Sequence, residues 1–136
     1  MISRSRLSQD QRGVGAVEFA LVAPVLFLFV IGIAELGTLF FANSGLKSAV
    51  GEGARYATIY PRPTDAEILA VVNDRRFGLN PKHVVAPTLT RCVVSPQRHC
   101  IDLQMSYNVP LNFIFFKGPA VTLTERRRAY VHAPPE

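Results

Sequence analysis

The residues with most chemical promise lie at the start of an apolar run. The stretch "RGVGAVEFALVAPVLFLFVIGIAELGTLFF", residues 12–41, reads as a membrane-crossing helix, except that Glu18 stands where the apolar residues begin. An ionised carboxylate at the edge of hydrocarbon costs about 2–3 kcal/mol on insertion scales, so it marks a partner or a pathway. Glu18 needs a cation. No lysine or arginine follows it within the apolar run, and Arg12 precedes a glycine-rich break. The one remaining candidate is a newly made α-amino group.

The element that positions this carboxylate is set by length and hydropathy. Phe19 to Ala34 is uninterrupted, and Leu36 to Ala42 carries the run past twenty residues with only Glu35 intervening. At ~1.5 Å per residue that is enough to cross a ~30 Å hydrocarbon core. Arg4, Arg6 and Arg12 precede the run against a single acid, Asp10, which leaves the N-terminus in the cytoplasm and exports the chain after about residue 42. A chain of 136 residues then has room for one small exported domain. The pI of 9.7 does not imply nucleic acid, because the basic residues are divided among the N-terminus, Arg75 with Arg76, and Arg126 to Arg128.

Cys92 and Cys100 fall in the exported part, where a disulfide persists; the alternative is two ordinary thiols. Their spacing fits no CxxC redox motif, and a zinc site would have to recruit His83 or His99 without the usual paired short ligand spacings. No metal or cofactor is expected. An enzyme is not expected either: P-loop, GxSxG and HExxH motifs are absent, and both "GVGAVE" and "GEGARY" lack the third glycine of a dinucleotide fingerprint.

Beyond the apolar run, Leu39, Leu46, Val50, Gly53 and Ala57 recur at helical steps among Lys47, Glu52 and Arg55, so the helix continues out of the membrane to about Thr58. Gly45, Gly51 and Gly53 weaken it by about 1 kcal/mol each, which points either to close packing or to flexibility. Pro61 and Pro63 end it. A second helix starts at the capping-box pair Thr64 and Glu67, shows Ile68, Leu69 and Val72 on one face, and has Gly78 as its stop. In "CIDLQMSYNV" Ile101, Leu103, Met105, Tyr107 and Val109 alternate with polar residues, which is a strand. "TLTRCVV" before it and "AVTLTERRRAYV" after it complete a three-stranded antiparallel meander. Pairing Cys92 with Cys100 sets Thr90 against Asp102, Leu89 against Leu103 and Thr88 against Gln104, so that polar and apolar faces agree.

Gly13 followed by "VGAVEF" resembles the processing site of type IV prepilins, with a short basic leader ending in glycine and a mature chain whose fifth residue is glutamate. Cleavage after Gly13 makes Val14 the first residue and Glu18 the fifth, with Phe19 next; in that family the glutamate pairs with the N-terminal amine of a neighbouring subunit. Further along, the chain is similar to TadE-like proteins, pilin-like minor components of the tight adherence pilus. The matching residues are Glu18, Ala20, Leu21, Pro24, Glu35, Gly37, Ala49, Gly53, Ala54, Arg55 and Tyr56. The similarity runs from about residue 12 to 57; beyond it only the outline of a small strand-rich exported domain is shared. It implies a pseudopilin cut by a prepilin peptidase and needed to build or cap an adhesive filament, with partners among other pilin or pseudopilin subunits, inner-membrane assembly proteins and membrane lipid, and with no nucleic acid or small-molecule substrate.

Plainer accounts stand beside these roles. Pro24 is either a tolerated kink or a functional bend. Glu35 reads first as an interfacial carboxylate, and Arg55 with Tyr56 first as a solvated helix end, with a partner-facing surface as the alternative for all three. "NFIFF", Asn112 to Phe116, reads as cover beneath the sheet before it reads as a membrane or partner contact, and Arg126 to Arg128 as a solvated strand. Two rival organisations differ at the N-terminus: a signal peptide cut near "IGIA", whose apolar region would be too long, and an uncleaved single-pass anchor carrying a binding module. The expected architecture is α+β. Residues 1–13 form a leader, 14–42 the membrane half of a long helix, 43–60 its amphipathic continuation, and 61–136 a periplasmic or extracellular domain on the bacterial inner membrane.

Overall fold

The computed structural model describes residues 13–113 and 116–132, so the expected leader, apart from Gly13, lies outside the described residues. A single helix, α1 (Val14–Tyr56, 43 residues), carries the first part of the chain over about 65 Å. It runs on through Pro24, which lacks the N–H that would reach the Ala20 carbonyl. It ends two residues before the expected Thr58, where the Ala57 N–H donates to the Gly53 and Arg55 carbonyls and the Thr58 hydroxyl donates to the Arg55 carbonyl.

The second half of α1 buries a stripe of Ala42, Gly45, Leu46, Ala49, Val50 and Gly53, spaced three or four residues apart. The small residues in that stripe allow close approach. A Cβ on Gly45 would collide with the backbone carbonyl of Phe77, and one on Gly53 with the Val72 side chain, whereas nothing lies within 4 Å of a Cβ at Gly51. Close packing therefore explains Gly45 and Gly53 and does not extend to Gly51.

Helix α2 (Asp65–Asp74) packs across this stripe through Ile68 and Val72. Thr64 is its N-cap with both halves of the capping box in place: the Thr64 N–H donates to Glu67 Oε2 at 2.7 Å and the Glu67 N–H to Thr64 Oγ1 at 3.3 Å. The helix stops at Asp74, with Arg75 as C-cap, and not at Gly78 as expected. Gly78 serves a different purpose. It adopts φ +67° and lies against the Phe41 ring where any Cβ would collide, while Phe77 meets Phe41 edge to face at 5.7 Å. A 3-10 turn, Pro81–His83, leads into the sheet.

Strands β1 (Val84–Ser95), β2 (Arg98–Val109) and β3 (Val121–His132) form an antiparallel meander in the order β1-β2-β3. The register has Cys92 opposite Cys100, Thr90 opposite Asp102, Leu89 opposite Leu103 and Thr88 opposite Gln104, as the facial pattern requires. A register shift between Val85 and Thr88 absorbs Pro87 on an edge strand, where a missing N–H is tolerated. Cys92 and Cys100 are disulfide-bonded.

Both helices cover one face of the sheet and leave the other polar. Ile101, Leu103 and Met105, all 1% exposed or less, meet Leu46, Val50, Ile68 and Val72 in one core. Full burial of each such side chain is worth about 1.5–3 kcal/mol, so the domain is organised where α1, α2 and β2 converge. The α+β class and the element order agree with the sequence.

Candidate functional site: the exposed half of the long helix

None of this core involves α1 before Leu39. From Val14 to Phe41 the helix shows apolar side chains on every side, including Phe19 at 66% and Leu21 at 72% exposure. Its most apolar window has a mean hydropathy of 2.5 and no buried residue. A helix that is apolar all round is stable where its surroundings are also apolar, in lipid or among similar helices. Length and composition suffice for one membrane crossing.

The residues singled out from sequence are distributed along this helix. Gly13 is the N-cap of α1, exposed and with open space around it, and Val14 is the first helical residue. Glu18 and Phe19 follow one turn later on the exposed surface, and Glu18 makes no ion pair among the described residues. Glu35 is half-buried at the far end of the apolar segment, on the wall between two clefts. One, of about 730 Å³, has Thr38, Asn80, His83 and Tyr107 around it; the other, of about 560 Å³, is almost wholly apolar. Arg55 pairs with Glu52 one turn back at 2.9 Å, while Tyr56 packs against the edge of the core. Both border a cleft of about 320 Å³ between α1 and α2. Val14, Glu18 and Phe19 thus share one end of α1, whereas Arg55 and Tyr56 lie at the opposite end.

The sheet carries a charge cluster that residue types alone do not reveal. Arg126 to Arg128 lie in β3 with their side chains exposed, as a solvated strand requires. Strand alternation divides them between two faces: Arg126 and Arg128 share the polar face of the sheet and both hold Asp102, at 2.7 Å each, while Arg127 points to the helix-covered side and pairs with Glu125 at 2.9 Å. Hydrogen bonds from Arg128 and then Arg126 hold the Asp102 carboxyl well below the usual carboxylate range, and Asp102 in turn raises Arg128. The signal was present in the alternation of β2, which places Asp102 on the face that Arg126 and Arg128 must share once β3 pairs antiparallel. Inward-pointing Glu125 and Arg127 also discourage further strand addition at this sheet edge. A further pair, Arg91 with Asp65, ties β1 to the start of α2. Backbone and hydroxyl bonding from Thr64 lowers the Glu67 carboxyl.

In "NFIFF", Ile114 and Phe115 lie outside the described residues, Phe113 is half-buried and Phe116 exposed. Leu111 touches the core margin, Phe113 stacks on Phe116 at 4.7 Å, and Phe116 is 57% exposed. Leu111 and Phe113 face α1, across the apolar cleft from Leu28, Phe29 and Ile33. Among the described residues, no group of three or more His, Cys, Asp or Glu side chains is arranged to hold a metal.

No curated protein and no solved structure is significantly similar to the chain. The TadE family, described as TadE-like protein, matches residues 13–55. Those bounds nearly coincide with α1, including both its exposed half and the stripe on which the domain packs, and they leave the sheet outside the match. The chain is therefore similar to TadE-like proteins along its long helix.

Proposed function

We propose that this chain is a pilin-like minor component of a tight adherence pilus, made with a 13-residue leader that a prepilin peptidase removes, and needed to assemble or cap the filament. The TadE-like match associates the helix with that pilus system. The observation that carries the reading is Glu18, a carboxylate on the exposed apolar surface of α1, one turn from the Gly13–Val14 bond.

Cleavage at that bond frees the Val14 amine, whose ordinary pKa of about 8 leaves it charged at neutral pH. A carboxylate and an ammonium that are each costly in hydrocarbon then offset one another when the amine of one subunit meets Glu18 of the next. The exposed apolar half of α1 serves two settings in turn: lipid before assembly and neighbouring helices after it. The N-terminus faces the cytoplasm and the sheet domain the periplasm or exterior. Pro24, Glu35, Arg55 and Tyr56 are secondary contact points along the same helix, toward other pilin subunits or inner-membrane assembly proteins.

Two variants in the producing bacterium test the proposal. Gly13→Leu is expected to block removal of the leader, giving a heavier membrane-held chain. Glu18→Ala is expected to be cut at the normal position yet fail to join other subunits. Wild-type pili from both variants would refute the reading.

A further inference from the structure

The apolar span of α1 fixes a height on the molecule. A hydrocarbon core of ~30 Å takes up about twenty helical residues. Counted from Val14 its outer boundary falls near Ala34, and counted from Glu18 near Thr38. Tilt reduces the rise per residue along the membrane normal and moves that boundary further along the chain. Residues 28–33 of α1 lie within the apolar core in every case.

The loop between β2 and β3 reaches this level. Leu111 and Phe113 border the cleft shared with Leu28, Phe29 and Ile33. The described part of the loop is closed on itself: Asn112 bridges Lys117, the Gly118 N–H donates to the Leu111 carbonyl at 2.9 Å, and the Phe116 N–H donates to the Phe113 carbonyl at 3.2 Å. Backbone that enters an apolar medium must pair internally, and these groups do. Phe113 and Phe116 stack, with Phe116 more than half exposed, and Lys117 beside them is long enough to hold its ammonium at the headgroups.

Resting on the reading of α1 as membrane-spanning, we propose that the stacked pair Phe113 and Phe116 is a second membrane contact, seated in the outer interface of the bilayer that α1 crosses. Such a contact fixes the tilt of the exported domain before assembly. It is lost when the subunit leaves the membrane.

The chain has no tryptophan, so single-tryptophan variants of the full-length protein report depth directly. In phosphatidylcholine vesicles, Phe116→Trp is read beside Phe27→Trp in the middle of the span and Tyr60→Trp on the 91% exposed residue beyond α1. The expected result is blue-shifted Phe116→Trp emission that falls by about half with lipids brominated near the glycerol, Phe27→Trp emission quenched by deeper bromines, and Tyr60→Trp emission unaffected. Quenching of Phe116→Trp by aqueous acrylamide alone, with Phe27→Trp still quenched by lipid, overturns the loop contact and leaves the spanning helix intact. A Phe116→Trp blue shift that ignores bromolipid and fades as protein is diluted in lipid assigns the loop to a second copy and also overturns it. Failure of lipid to quench Phe27→Trp removes the spanning reading and this inference with it.

Discussion

Asp102 shows how a residue acquires its role from its strand partners. It is a lone acid on a polar sheet face, held by two arginines from the adjacent strand. Because its folded pKa lies below the ordinary value of about 3.9, the ion pairs stabilise the fold fully above that pH and progressively less as pH falls below it. Asp102→Asn is therefore expected to lower stability at neutral pH, with the gap to wild type closing as the solution is acidified through the carboxylate range. Thermal melts of both proteins across pH check this. A gap independent of pH would mean that the carboxylate charge contributes nothing. Alternation along β3 already separates Arg127 from Arg126 and Arg128; what the register adds is that those two flank Asp102.

At the scale of elements, α1 is two helices in one. Its first half has no side facing protein core, and its second half has a stripe narrow enough for α2 to sit against backbone. Gly45→Ala relieves a helix penalty of about 1 kcal/mol but drives a methyl into the rigid Phe77 carbonyl, and such overpacking costs about 1–3 kcal/mol. A net loss of about 1 kcal/mol is expected on balance. Gly51→Ala meets nothing and is expected to gain up to about 1 kcal/mol. Denaturant titration of both variants distinguishes packing from flexibility at each position, and equal effects would contradict the contrast. Periodicity made the long helix, the capping box and the strand register legible. The end of α2 was not, because Gly78 looks like a helix stop when only local sequence is considered, whereas its positive φ answers to the ring of Phe41, a residue far away in the chain. The place of Leu111 and Phe113 was hidden for a related reason: apolar residues suit a core equally well, and only the fold sets these two beside the exposed half of α1.

The whole molecule is asymmetric in a way that bears on assembly. A small domain, held together by its core and one disulfide, is mounted on the C-terminal half of a helix whose N-terminal half contributes nothing to that core. The TadE-like match follows that helix and stops short of the sheet. Glu18 was legible as the candidate site because a carboxylate at the edge of an apolar run is expensive, and the glycine five residues before it supplied the reason. In the proposed function, what partners Glu18 depends on the chemical state of Val14, which proteolysis and not folding would decide. The most direct measurement is the N-terminal sequence of the protein purified from the cells that produce it. A chain beginning at Val14 with a free amine is expected, and a chain still beginning at Met1 would contradict the proposed pairing.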